Sequence, residues 1–123
     1  MDKPEVLIAH SIQLAEHGGS KGIRDATLFD SALAKPRNLF AHPDSIGLPR
    51  LAASYAFGIA RNHAFIDGNK RTALVLSEGF LRVNGMKVVS TPEEKYFTFL
   101  HLADGSVSEE ELTAWFTEHA VCL

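Results

Sequence analysis

The sequence contains only one cysteine, Cys122, so no disulfide bond within the chain can stabilise the fold. We therefore expect a reducing compartment, the cytoplasm. Cations are not in excess either, because 12 Lys and Arg stand against 15 Asp and Glu, for a net charge of −3. A protein face that binds DNA needs several clustered cations. The balance predicts no direct DNA binding but leaves room for a small local phosphate site.

Long apolar runs are also lacking, and we expect no leader sequence. No stretch approaches the roughly 18 apolar residues of a membrane-spanning helix. Residues 1–5 lack the basic-then-apolar pattern of a signal peptide. What is present, 46% apolar and 22% charged residues in a chain of 123, is typical of a globular protein. We expect no membrane association and a single domain over residues 1–123.

Apolar residues recur at helical spacing along nearly the whole chain, which predicts a compact all-α bundle of about six helices. Residues 86–89 are expected to be extended. The expected helices run from Pro4 to about His17, from an N-cap at Asp25 to Pro36, from Leu48 to Ala60, from Asn69 to about Asn84, and onward from capping boxes that begin at Thr91 and at Ser108.

The longest predicted irregular stretch runs from Pro36 to Pro49. Proline interrupts helices, so we expect Pro36 to end the second one. A loop of this length in a small domain is more often functional than idle. A connector without a role is the alternative.

Residues 61–72, Arg-Asn-His-Ala-Phe-Ile-Asp-Gly-Asn-Lys-Arg-Thr, differ from an ordinary linker between helices. The first turn of the helix that follows leaves its N–H groups unpaired and carries partial positive charge, which suits an anion. Gly68 allows close approach of the backbone to a ligand, and Lys70 and Arg71 add full charges at the same end. Because cations there oppose the helix dipole, a phosphate site explains them better than helix stability does.

His63 and Asp67 add the groups that a transfer reaction needs. Neutral imidazole is a suitable general base near pH 7 for an attacking hydroxyl. A carboxylate beside a phosphate site is a natural Mg²⁺ ligand, and Arg61 could reach the same phosphates. Taken singly, each residue is more often a cap, a turn or a solvated charge. Their concentration in so few positions favours a site.

Two familiar sites are excluded on spacing. The Gly68-Asn69-Lys70 sequence lacks the earlier glycine, and the preceding strand, that a P-loop requires. The six histidines show no paired ligand spacing and no CxxC is present, which argues against zinc.

The segment from His63 to Arg71, His-Ala-Phe-Ile-Asp-Gly-Asn-Lys-Arg, resembles the signature loop of the Fic/Doc superfamily, and closely that of its Doc (death-on-curing) branch. The resemblance extends to residues 17–19, 33–38, 55–62 and 80–85. It implies an all-helical toxin of a toxin–antitoxin pair. It further implies a protein kinase that uses ATP to phosphorylate a threonine of elongation factor Tu and so stops translation.

The resemblance also implies a role for each position of the loop. His63 would be the general base on the target hydroxyl, and Asp67 would hold Mg²⁺. The nucleotide phosphates would be cradled by Gly68, Asn69, Lys70 and Arg71, with Arg61 as a further contact.

Two positions depart from the Fic pattern. Ala64 replaces the usual proline and touches no reacting group, whereas Lys70 replaces a second glycine. In AMP-transferring relatives that glycine belongs to the pocket for the outer phosphates, and a long cation there would favour a different seating of ATP. Phosphoryl transfer is therefore favoured. Transfer of AMP or another nucleotide, and a non-catalytic protein that binds an antitoxin or a nucleotide, are the alternatives.

An internal inhibitory helix is not expected. Many Fic proteins mark it with Ser or Thr, three residues, Glu, and Gly or Asn. The one such ending here, Glu78-Gly79, has Leu74 at the Ser/Thr position. The resemblance therefore implies inhibition by a separate Phd-like antitoxin, partly disordered until bound. It also matches residues 36–49 to the flap that aligns the target segment.

Overall fold

The computed structural model describes residues 3–19, 22–23, 26–40, 47–61 and 69–123. Within them the chain forms six α-helices and two short strands, so the predicted all-α bundle is confirmed. The elements in chain order are α1 (Lys3–His17), α2 (Ala26–Phe40), α3 (Leu48–Arg61), α4 (Asn69–Val83), β1 (Met86–Val88), α5 (Pro92–Asp104), α6 (Glu109–His119) and β2 (Ala120–Cys122).

Side chains from all six helices form one buried cluster, and α3 lies at its centre. Helix α3 packs against α2, α4, α5 and α6, and most of its side chains are buried. The fully buried large side chains include Phe29 of α2, Ile59 of α3, Leu81 of α4, Leu102 of α5 and Phe116 of α6. Helices α3 and α4 pack more extensively on each other than any other pair of elements.

Helix α2 continues through Pro36 to Phe40, so the prediction that Pro36 ends it is wrong. A proline inside a helix removes its own N–H bond but keeps a helical φ, at a cost of about 3 kcal/mol. Helix α2 packs closely on α3. A methyl group on Gly58 of α3 would lie 3.0 Å from both Cα and Cβ of Ala32, so the two helices approach closely there. The predicted loop is shorter accordingly, and its residues 41–46 lie outside the described residues, as does the predicted N-cap Asp25.

Helix α4 begins and ends where the sequence predicts. It starts at Asn69, and Gly85 terminates it with a left-handed φ of 88°. One face of α4 is uncovered, because Val75 is 41% and Val83 is 83% exposed. The helix is therefore packed on several sides but not on all of them.

The C-terminal third is organised by helix caps. Ser108 and Glu111 form the full capping box expected at α6. The box expected at α5 is only half formed: the Thr91 hydroxyl accepts the Glu94 N–H, while the Glu94 carboxylate instead accepts a hydrogen bond from the Ser90 hydroxyl. Near the start of α6, the buried carboxylate of Glu109 forms an ion pair with Arg50 of α3.

Strand β1 confirms the extended stretch predicted over residues 86–89. Strand β2 was not expected from the sequence. The two strands pair antiparallel, with Met86 opposite Cys122 and Val88 opposite Ala120.

Candidate active site

The candidate site lies where α3 ends and α4 begins. Arg61 is the last residue of α3 and Asn69 is the first of α4. Residues 62–68 connect the two, so the predicted base His63, the predicted metal ligand Asp67 and the predicted phosphate contact Gly68 lie outside the described residues. The structure describes the helices on either side of this segment.

The first turn of α4 carries cations where the later helices carry acids. Helix α4 has no acidic residue in its first turn, as is also true of α2 and α3, while α5 has two and α6 has three. Lys70 and Arg71 are exposed there. Acidic side chains stabilise a helix N-terminus, whereas cations oppose its dipole. An anion at the start of α4 would meet two exposed cations as well as the helix N-terminus.

A cleft of about 300 Å³ lies beside this turn, between α4 and α5. Its apolar lining includes Leu74 and Phe99, and its polar lining includes Lys70, Arg71 and Lys95. The cleft therefore combines an apolar wall with several cations.

Helix α5 supplies two cleft residues that the sequence analysis missed. Tyr96 is 60% exposed, and Lys95 forms an ion pair of 2.8 Å with Glu78 of α4. Both lie about 25 residues beyond the signature loop in the sequence, and no local pattern marks them.

Arg61 is held by packing at the end of α3. Its Cζ lies 5.5 Å from the ring centroid of Phe57, in a cation–π arrangement. Its guanidinium also lies against Gly105, which caps the C-terminus of α5. A cation at the C-terminus of α3 suits that helix's own dipole, so Arg61 has a structural role besides the predicted phosphate contact.

The turn after α5 is fixed by hydrogen bonds. Ser106 N–H donates to the His101 carbonyl at 2.9 Å and to the Asp104 carboxylate at 2.8 Å. The hydrogen bonds from Ser106 lower the pKa of Asp104 below its usual value, with a smaller contribution from His101. By accepting the Ser106 N–H, the Asp104 carboxylate helps to hold the turn.

Two further properties concern metals and membranes. Among the described residues, no group of three His, Cys, Asp or Glu side chains could hold a metal ion. Across the same residues, every helix is too short or too polar to span a lipid bilayer.

Comparison with known proteins identifies the family. The sequence model of the Fic/DOC family matches residues 1–81 of the 123. The chain belongs to the Fic/DOC family. The match includes the α3–α4 junction and ends within α4. Helix α5, which lines one side of the cleft, lies beyond the matched residues, and so does Gly105.

Two curated relatives belong to the Doc branch of the Fic/DOC family. Toxin Doc of Mycolicibacterium smegmatis is 40% identical over 93 residues, covering 73% of this chain and 68% of that protein. Protein kinase doc of Escherichia phage P1 is 36% identical over 91 residues, covering 73% and 72%. The resemblance to the Fic/Doc superfamily and its Doc branch is confirmed.

Proposed function

We propose that this Fic/DOC chain is the toxin of a toxin–antitoxin pair and transfers the γ-phosphoryl group of ATP to a protein hydroxyl. The observation that carries the proposal is the first turn of α4, which is free of acids and exposes Lys70 and Arg71. A polyphosphate would satisfy both the helix N-terminus and the two cations. The names of the two relatives, a toxin and a protein kinase, support the same conclusion.

In the proposed reaction, His63 accepts the proton of the target hydroxyl as its oxygen bonds to the γ-phosphorus. The bond from that phosphorus to the oxygen bridging to the β-phosphate breaks, and ADP leaves with the electron pair. The phosphates would be held by cations and by backbone N–H groups near the start of α4. That set comprises Arg61, Gly68, Asn69, Lys70 and Arg71.

The donor chemistry of the loop fits Mg²⁺. Asp67 offers carboxylate oxygens next to the phosphate cradle, and Mg²⁺ typically shares one or two carboxylates with substrate phosphates. Bound there, the ion would neutralise charge on the phosphates. We propose that Asp67 and the nucleotide hold the ion together.

Lys70 supports phosphoryl transfer over nucleotidyl transfer. Its long exposed side chain occupies the first turn of α4, where a second glycine would leave space for the outer phosphates of ATP. A cation there favours seating the γ-phosphate toward the target. We propose that the target is a threonine of elongation factor Tu, in the cytoplasm, and that its modification stops translation.

The proposed partner is a Phd-like antitoxin, and the uncovered face of α4 supports a docking place for it. A groove of about 300 Å³ lies there, with Val75, Gly79 and Val83 along it and Glu5 of α1 at its edge. An amphipathic antitoxin helix would cover such an apolar face.

Growth and product analysis test the toxin and its chemistry. We expect expression of the wild-type chain to arrest growth and His63→Ala to abolish the arrest, with His119→Ala as the control. We expect the purified protein, Mg²⁺ and elongation factor Tu to convert ATP to ADP. Release of pyrophosphate instead would show nucleotidyl transfer. Full toxicity of the His63→Ala variant would contradict the catalytic mechanism.

Co-expression tests the antitoxin groove. Val83→Asp should keep its toxicity but escape neutralisation by the antitoxin, because a charge would lie in the apolar groove. Val121→Asp, at an exposed valine of β2, should be neutralised like the wild type. Equal neutralisation of both variants would place the antitoxin elsewhere.

A further inference from the structure

Gly105 forms a bare, rigid turn at the C-terminus of α5. Its φ is 93°, in the left-handed region that favours glycine. Hydrogen bonds fix the turn on both sides. Gly105 N–H bonds to the Leu102 carbonyl, and the N–H groups of Ser106 and Val107 both donate to the His101 carbonyl. The backbone here has little freedom to move away from a neighbour.

That neighbour is the guanidinium of Arg61. A methyl group on Gly105 would lie 3.1 Å from Nη1, 3.5 Å from Cζ and 3.7 Å from Nη2 of Arg61. The shortest of these distances is tighter than ordinary van der Waals contact, so the guanidinium would have to shift by a few tenths of an ångström. The absence of a side chain at Gly105 therefore creates the space in which the Arg61 head group lies.

The guanidinium has a second neighbour. The Phe57 ring lies one helical turn earlier on α3, 5.5 Å from the Arg61 Cζ. A planar guanidinium packed on an aromatic ring keeps its five N–H donors along its edge, where they can reach an anion. Phe57 and Gly105 together thus restrict where those donors lie, at the residue that immediately precedes the candidate loop.

We infer that Gly105 is a positioning residue for the transfer reaction, acting through Arg61. Because Gly105 has no side chain, the guanidinium can lie close to both Phe57 and the end of α5, at the place from which we propose that it contacts the nucleotide phosphates. The inference rests on the proposed function. It adds the residue that caps α5, which lies outside the part of the chain matched by the family and about 35 residues beyond the signature loop.

Gly85 provides a matched control for a substitution at Gly105. Its φ is 88°, close to that of Gly105, so alanine strains the backbone similarly at both positions. A methyl group on Gly85, however, meets no atom within 4 Å. The difference between Gly105→Ala and Gly85→Ala therefore isolates the push on Arg61 from the strain of the turn.

We expect Gly105→Ala to raise the KM for ATP about three- to tenfold, because small misplacements of a binding group weaken it steeply. The kcat should change little, as for a lost contact that holds substrate and transition state equally. Gly85→Ala should lose similar thermal stability while keeping the wild-type KM. Equal KM values for the two variants would overturn the inference.

A double-mutant cycle tests whether the effect passes through Arg61. Arg61→Ala alone should raise the KM for ATP, and adding Gly105→Ala should raise it no further. A full additional effect in the Arg61→Ala background would also overturn the inference. If alanine at Gly105 prevents folding, Gly105→Asn and Gly85→Asn replace the pair, because asparagine tolerates a positive φ better.

A measurement that does not depend on nucleotide binding, the NMR spectrum of the Arg61 side chain, distinguishes this inference from the proposed function. The Arg61 Nε–H resonance should shift in Gly105→Ala and stay unchanged in Gly85→Ala, even without nucleotide. If the wild-type chain neither binds nor turns over ATP while that shift is seen, the proposed function fails and the contact stands. If ATP is turned over and no shift is seen, the inference fails alone.

Discussion

Replacing Lys70 at the start of α4 with glutamate should stabilise the fold while weakening ATP binding. A charge near a helix terminus contributes about 0.3–1 kcal/mol, unfavourably for a cation at the N-terminus and favourably for an acid. Lys70→Glu removes the first contribution and adds the second, so we expect about 0.6–2 kcal/mol of added stability. At about 3–5 °C per kcal/mol for a chain of this size, the Tm should rise by about 2–10 °C.

The same substitution removes a charged contact to phosphate. Hydrogen bonds to charged groups contribute about 1.5–3 kcal/mol, so the Kd for ATP should rise tenfold or more. Calorimetric unfolding and ATP titration, both at low ionic strength, measure the two effects on one sample. At about 1 M salt the screening length falls to about 3 Å, and the gain in Tm should largely disappear.

Arg82→Glu is the matched control, because Arg82 lies in the last turn of the same helix. There the dipole has the opposite sign, so the variant should lose about as much stability as Lys70→Glu gains, with ATP binding unchanged. A lower Tm for Lys70→Glu together with wild-type ATP affinity would refute the anion site at α4.

Three further predictions concern the frame that holds the site. Gly58→Ala should cost about 1–3 kcal/mol, because its methyl group would press on Ala32 at 3.0 Å. Gly79→Ala should instead raise the free energy of unfolding by about 0.5–1 kcal/mol, because its methyl group on the exposed face of α4 would meet no atom within 4 Å. Equal effects of the two substitutions in urea unfolding would contradict the close packing of α2 on α3. Arg50→Ala should lower stability by about 1–3 kcal/mol, because it removes an ionic partner of the buried Glu109 carboxylate; Arg82→Ala, which removes an exposed cation, should cost less. Ser108→Ala should lower the free energy of unfolding by about 1 kcal/mol, and by more than Thr91→Ala does. The reason is that the α6 cap has both hydrogen bonds of a capping box, whereas the α5 cap has one of them. A larger loss for Thr91→Ala would show that the second hydrogen bond contributes nothing.

Local signals in the sequence sufficed for most of the fold. Apolar spacing located α1, α3 and α4, and cap residues located the starts of α5 and α6. The end of α2 could not be predicted in this way, because Pro36 is a strong local stop that close packing of α2 on α3 at Gly58 overrides. Strand β2 was also beyond reach, since its pairing with β1 joins segments more than 30 residues apart.

The candidate site was likewise only partly predictable from local sequence signals. The crowding of charged residues before α4 was visible in the sequence because those residues are adjacent. The wall contributed by α5, with Lys95 and Tyr96, and the contact between Arg61 and Gly105 depend on tertiary packing alone. In the sequence, Gly105 is indistinguishable from any glycine that ends a helix; only the structure shows that a side chain there would meet a guanidinium.

The most direct test of the central claim is a label-transfer assay. The purified chain is mixed with elongation factor Tu, Mg²⁺ and ATP labelled at either the γ- or the α-phosphate, with His63→Ala as the inactive control. The account predicts that the γ label alone reaches the target, on a threonine, and that His63→Ala transfers none. Transfer of the α label would show nucleotidyl transfer and contradict the role assigned to Lys70. Absence of both labels from the target would contradict the proposed kinase activity on elongation factor Tu.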